Sequence, residues 1–177
     1  MKPSGWSLTL PDEGRLGDLA RVMVPHLQAP LVIYLQGELG AGKTSFARAL
    51  INALGYSGRV KSPSYGLLEP YTAAGFNILH LDLYRVESPD ELDYLAVRDL
   101  FDDKSLLLVE WPQKGAGFLP AADLELHFVE ADGRRFVRFM ARSCAGVALE
   151  RAVRQQTDLG KKVVCGPGVD TVEKSNF

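Results

Sequence analysis

Along this chain, blocks of apolar residues switch from strand-like to helix-like spacing and back. Leu31-Val32-Ile33-Tyr34-Leu35 is a continuous apolar, β-rich run, the pattern of a strand buried in a parallel sheet. Behind it, Phe46, Ala47, Leu50, Ile51 and Leu54 recur at helical spacing, so Lys43 to Leu54 reads as a helix with one apolar face, stopped at Gly55. Upstream, Trp6 to Leu10 alternates weakly as a first strand. Pro11-Asp12-Glu13 starts a helix with Asp12 as its cap. That helix shows Leu16, Leu19, Ala20, Met23 and Leu27 on one face, and Pro25 should kink or end it.

Downstream, Ser62-Pro63-Ser64-Tyr65 is a loop entering an extended stretch, Gly66 to Tyr71, and Ala73-Ala74-Gly75 is a turn before a strand from Phe76 to Asp82. Ser88-Pro89-Asp90-Glu91 has capping-box spacing with proline at the first helical position, and acidic helical turns follow to about Asp103. Ser105 to Glu110 is a second strongly apolar strand. Asp123 to Glu130 and Arg134 to Ala141 flank Ala131-Asp132-Gly133, a hairpin signal. Ala148, Leu149, Ala152 and Val153 mark a closing helix. Strands alternating with helices predict an α/β chain with a mixed, mostly parallel central sheet and late antiparallel strands.

The length, 177 residues, suits one domain over residues 1–155, followed by a polar, aperiodic tail over 156–177, mobile or loosely docked. Lys plus Arg is 20 and Asp plus Glu is 22, a net charge of −2. That balance gives no global basic field, so tight direct nucleic-acid binding is not implied, although a local basic patch stays open. Cys144 and Cys165 are the only cysteines and have no metal-type or redox spacing; His26, His80 and His127 are scattered. The N-terminus lacks the apolar core of a signal peptide and no apolar run approaches membrane-spanning length. A reduced, cytoplasmic protein without a membrane partner is expected.

Between the first buried strand and its helix lies Gly37-Glu38-Leu39-Gly40-Ala41-Gly42-Lys43-Thr44. This matches G-x-x-x-x-G-K-[ST], the phosphate loop of nucleoside triphosphatases. Glycines let the backbone curl so that N–H groups point at phosphate oxygens. Lys43 reaches the β- and γ-phosphates, the Thr44 hydroxyl takes one site on Mg²⁺, and the helix start, with Ser45, adds the positive end of its dipole. Strand, glycine loop and helix is the context the motif requires. It predicts a three-layer P-loop fold that holds a nucleoside triphosphate with Mg²⁺ at the carboxyl ends of the parallel strands.

Such a loop needs a further acid. Leu106-Leu107-Leu108-Val109-Glu110 is an apolar strand ending in a carboxylate, so Glu110 is the candidate metal ligand, directly or through water. Asp82 ends the other strand and either serves the reaction, by orienting the attacking water or holding a metal-bound water, or caps the Leu83-Tyr84-Arg85 turn. Arg85 reads as a γ-phosphate contact or a surface ion pair; for a lone arginine the surface pair is the better reading. His80 shares a strand face with Asp82 and reads as a hydrogen-bonded structural residue. Trp111 reads as a core or edge aromatic that adjoins the inferred metal, and Pro112 forces the chain to turn.

Four motifs appear in order: the phosphate loop, Lys61-Ser62-Pro63-Ser64-Tyr65, His80-Leu81-Asp82-Leu83-Tyr84-Arg85 and Val109-Glu110-Trp111-Pro112. Together they resemble the TsaE (YjeE) family, bacterial P-loop ATPases of the tRNA threonylcarbamoyladenosine pathway, over about Leu8 to Val153. The resemblance implies that Lys43 and Thr44 serve the phosphates and Mg²⁺, that Glu110 is a Mg²⁺ ligand, and that Asp82 is a catalytic acid. It implies that Ser62, Pro63, Ser64 and Tyr65, and Glu110 to Lys114, are nucleotide-sensitive switch segments, and that Glu13 and Arg134 lie where the family contacts the nucleotide base region. Ser64 stands where the family more often has Thr, and keeps the hydroxyl. The implied role is a Mg-dependent ATPase that binds ATP and ADP and sustains turnover with TsaB and TsaD. It touches tRNA only through that complex and does not perform the carbamoyl transfer.

The rivals are few. A GTPase would carry Asn-Lys-x-Asp and an ABC-type ATPase Leu-Ser-Gly-Gly; neither segment is present. A small-molecule kinase shares the loop and the size but usually needs an arginine-bearing lid, and the basic clusters Arg134-Arg135-Arg138 and Lys161-Lys162 sit in no lid-like insertion. A nucleotide-sensing adaptor with negligible hydrolysis would keep Lys43 and Thr44 without a water-positioning acid.

Overall fold

Strands rich in Leu, Ile and Val assemble into one sheet whose central strands β2 and β5 are buried on both faces. The computed structural model describes residues 6–10, 14–63, 66–88, 91–92, 97–131 and 134–159. The elements are β1 (Trp6–Leu10), α1 (Gly14–Met23), β2 (Leu31–Gln36), α2 (Lys43–Ala53), β3 (Leu68–Ala73), β4 (Phe76–Asp82), α3 (Val97–Leu100), β5 (Ser105–Glu110), β6 (Leu124–Ala131), β7 (Arg134–Ala141) and α4 (Cys144–Leu159). Strand order is β1-β7-β6-β2-β5-β4-β3. The four central strands β6, β2, β5 and β4 run parallel. β3 pairs antiparallel with β4, and β7 and β1 complete the other edge antiparallel. The late hairpin is therefore only half antiparallel addition: β6 lies parallel to β2 and belongs to the core.

Burial on both faces explains the unbroken apolar run of β2. Leu31, Ile33 and Leu35 pack with α1 and α2 residues such as Leu19, Phe46 and Leu50. Val32 points the other way, with Leu107 and Val109 of β5 and with Leu83, Val86, Leu92 and Val97 from a thin layer of turns and short helix. The sheet thus sits between a helical layer and this thinner one.

One boundary falls where proline was expected to set it, and two differ from expectation. Helix α1 ends at Met23, and Pro25 sits in a 3-10 turn over Val24–His26, because proline cannot donate to the α-helical ladder. Helical turns do not reach Asp103. Among the described residues the regular helix is Val97–Leu100, and Asp102 instead accepts hydrogen bonds from Lys104 N and the Ser105 hydroxyl, turning the chain into β5. Helix α4 continues past Gln156 to Leu159: Thr157 is buried and its hydroxyl donates to Val153 O at 3.0 Å. Gln156 to Leu159 are helix rather than tail, and residues 160–177 lie outside the described residues, as do Asp12, Glu13, Ser64, Tyr65, Pro89 and Asp90. The capping box survives in its described half, with Glu91 Oε1 accepting from Ser88 N and Glu87 N at 2.9 Å.

Candidate functional site

β2 hands over to α2 through Gly37 to Gly42. Gly37 has φ +142°, and a Cβ there would stand 2.4 Å from Phe128 O of β6, so only glycine fits this approach. Gly42 has φ +103° and leads into α2 with no side-chain cap. Glycine at this position offers no side chain to cap the start of α2, and a helix N-terminus is where an anion is favoured.

Lys43 is 4% exposed. Its Nζ donates to Gly37 O at 2.8 Å and Glu38 O at 2.7 Å and lies 4.2 Å from the centroid of the Trp111 ring. Burial pushes its pKa below the usual lysine value, while the carboxylates of Glu110, Asp82 and Glu38 push it back up.

The acids arrive from the sheet. Asp82 and Glu110 end β4 and β5 directly opposite each other in parallel register. Glu110 is 1% exposed. Its Oε2 accepts the Thr44 hydroxyl at 2.7 Å, and its Oε1 lies 2.9 Å from His80 Nε2. Asp82 Oδ1 accepts from Tyr84 N at 3.1 Å, capping the turn as one of its two readings required, and it also lines the cavity.

Trp111 follows Glu110 with φ +57° and ψ +47°, a left-handed conformation that costs a side-chain-bearing residue about 1–2 kcal/mol. It packs against Tyr84 at 5.1 Å between centroids. Lys114 Nζ ties the two segments together by donating to Tyr84 O at 2.7 Å and Val86 O at 2.9 Å.

These groups line a cavity of about 220 Å³, bordered by Gly42, Lys43, Thr44 and Ser45 of the loop and α2, by the acids Asp82 and Glu110, and by Tyr84 and Trp111. A second cavity of about 350 Å³ lies on the other side of the loop, between Gly37–Ala41 and His127–Glu130 at the end of β6. Two hard oxygens, Thr44 Oγ1 and Glu110 Oε2, stand together beside the phosphate loop. That is the donor set Mg²⁺ takes when phosphate oxygens and water complete its shell. Among the described residues no cluster of three or more His, Cys, Asp or Glu forms a cation cage.

Of the residues expected from sequence, Lys43, Thr44, Ser45, Asp82, Glu110 and Trp111 meet at one cavity, with Leu39, Gly40 and Gly42, and Gly37, Glu38 and Ala41 line its neighbour. Ser62 and Arg85 are exposed, Pro63 is buried, and none of the three reaches the first cavity. Arg134 is exposed at the start of β7, on the strand beside His127–Glu130. Glu13, Ser64 and Tyr65 lie outside the described residues. Sequence reasoning missed Tyr84 as a wall, Lys114 as the tie and Glu110 as the partner of His80. Only the shared strand face of His80 and Asp82 hinted at the last.

A family model described as "Threonylcarbamoyl adenosine biosynthesis protein TsaE" matches residues 10–137. The chain belongs to the TsaE family. Lys43, Thr44, Asp82 and Glu110 all fall inside the matched span, whereas α4 lies beyond it. A TsaE protein of Haemophilus influenzae, named for tRNA threonylcarbamoyladenosine biosynthesis, is 39% identical over 78% of this chain and 79% of its own length. The Bacillus subtilis protein of the same name is 30% identical over 80% of this chain and 87% of its own. Among solved structures, that of Bacillus subtilis YdiB superposes with a TM-score of 0.71 at 21% identity, covering 88% of this chain and 98% of its own, and shares the fold.

Proposed function

We propose that this TsaE protein binds ATP with Mg²⁺ and hydrolyses it. We further propose that hydrolysis serves tRNA N6-threonylcarbamoyladenosine modification in a complex with TsaB and TsaD, the protein touching tRNA only through that complex. The observation that carries the reading is the meeting of the Thr44 hydroxyl and the Glu110 carboxylate at 2.7 Å beside the phosphate loop. Lys43 holds the β- and γ-phosphates, and the N–H groups at the start of α2 hold phosphate oxygens. Thr44 and Glu110 would hold Mg²⁺, whose charge would offset that developing on the phosphates. Asp82, at the level of Glu110 on the neighbouring strand, orients water for attack on the γ-phosphorus. The cavity beside His127–Glu130 takes the nucleoside end. The protein makes no carbamoyl transfer in this reading.

Mg²⁺-dependent ATP turnover, measured with and without TsaB and TsaD, tests the proposal. Slow turnover alone and faster turnover with partners is the expected result. Ready phosphorylation of a small metabolite would favour a kinase instead, and ATP binding with no turnover in either condition would leave a nucleotide-sensing adaptor.

A further inference from the structure

His80 has no task in the chemistry above, yet it is fully buried on the face of β4 that looks toward the helical layer. Its Nε2 lies 2.9 Å from Glu110 Oε1, and its Nδ1 is buried with no hydrogen-bond partner among the described residues. An imidazole that only filled space would be poorly chosen here, because a buried nitrogen left unpaired is unfavourable compared with an apolar side chain of similar volume. Glu110, for its part, is held at both oxygens, Oε1 toward His80 and Oε2 toward Thr44. A carboxylate that serves as a metal ligand only accepts hydrogen bonds, so the Mg²⁺ role proposed above for Glu110 requires the proton of this contact on His80 Nε2.

We propose that His80 is the positioning residue for the Mg²⁺ corner. Its Nε2–H donates to Glu110 Oε1, which fixes the rotation of the carboxylate and presents Oε2 beside the Thr44 hydroxyl. The cation then meets two oxygens already in place. This inference rests on the MgATP reading. Its logic is that of outer contacts orienting metal ligands in general, where losing the supporting hydrogen bond weakens metal affinity by roughly 10–100-fold.

The test is calorimetric ATP binding with Mg²⁺ and with EDTA, for the wild type, His80→Gln and His80→Leu. Gln places an amide N–H near the Nε2 position; Leu fills the space without a donor. We expect all three to bind ATP in EDTA within about threefold, since the phosphate cradle is untouched. We expect His80→Gln to keep the gain in affinity that Mg²⁺ gives, and His80→Leu to lose it by about tenfold or more. A full Mg²⁺ gain in His80→Leu, or an equal loss in His80→Gln, overturns the proposal. If His80→Leu does not fold, histidine ¹⁵N chemical shifts of the wild type decide: an Nε2-protonated ring supports it and an Nδ1-protonated ring overturns it. A wild type that fails to bind MgATP sinks the parent reading, an outcome distinct from a wild-type Mg²⁺ gain that His80→Leu leaves intact.

Discussion

Lys43 and Trp111 are stacked, with the ammonium 4.2 Å from the ring centroid while two loop carbonyls accept its protons. The carbonyls of Gly37 and Glu38 and the Trp111 ring surround this cation. A phosphate reaching Lys43 must share or displace them, and the ring is the partner on the cavity side. Cation–π attraction of this kind is worth about 1–2 kcal/mol where water is excluded, less than a charge-assisted hydrogen bond to phosphate. Nucleotide should therefore win.

Trp111 is accordingly expected to report nucleotide by fluorescence. The chain has two tryptophans, and Trp6 packs against Phe139 at the far edge of the sheet. In a Trp6→Phe background, MgATP should shift Trp111 emission, and Lys43→Ala should move the shift to about 100-fold higher nucleotide or remove it. An unchanged spectrum at saturating nucleotide would show that the ring stays on Lys43.

Asp82 and Lys43 should separate binding from turnover. Lys43→Ala should weaken ATP binding by about 100-fold or more, because a charge-assisted contact to two phosphates is lost. Asp82→Asn keeps the shape and an acceptor for the Tyr84 N–H. It should bind ATP within a few-fold of wild type while hydrolysis falls by about 10²–10⁴, the usual range for a lost general base. Steady-state turnover beside calorimetric affinity reads both, and normal turnover in Asp82→Asn would remove its assigned role.

Gly37→Ala should be among the more damaging single changes. The added methyl meets the Phe128 carbonyl at 2.4 Å, and the backbone on both sides is strand or loop with little freedom to withdraw. A loss of about 2 kcal/mol or more is expected from strain and displaced backbone, read as a lower denaturation midpoint with an unchanged slope.

Glu125 sets a pH dependence away from the site. Burial pushes its carboxyl up, but hydrogen bonds from Arg142, with Nε and the terminal nitrogen each 2.9 Å from an oxygen, and from His127 bring it below its ordinary 4.5. A carboxylate with a depressed folded-state pKa contributes stability above its unfolded value, and that contribution is lost as pH falls through the folded value. Arg142 is 41% exposed, so solvent screening keeps the pair near about 1 kcal/mol. Glu125→Gln should therefore cost that much at pH 7 and progressively less below about pH 4.5. A constant gap across the titration would deny the ion pair its role.

The phosphate loop and the parallel centre were legible in the sequence because a glycine pattern between a doubly buried strand and an amphipathic helix has few alternative structures. Leu31–Leu35 could be read on both faces at once, and Glu110 stood at the end of its strand. The contacts that complete the site were not legible, since they join residues distant in the chain. Nothing near His80 announces Glu110, and nothing near Lys114 announces the carbonyls of Tyr84 and Val86. The extension of α4 past Gln156 was not legible for a related reason: a polar stretch reads as a tail, and only the fold shows Thr157 buried with its hydroxyl donating to Val153 O.

Glu110 and Asp82 face each other because β4 and β5 are in a fixed ladder, Asn77 with Ser105 through to the two acids. Side chains alternate between faces along a strand, so inserting or deleting a single residue anywhere in Ser105–Val109 would swing Glu110 away from Thr44 to the opposite side of the sheet. The chemistry is thus as sensitive to frame within that short segment as to the identity of the acid itself, and length changes there should be tolerated far less than exchanges of one aliphatic residue for another.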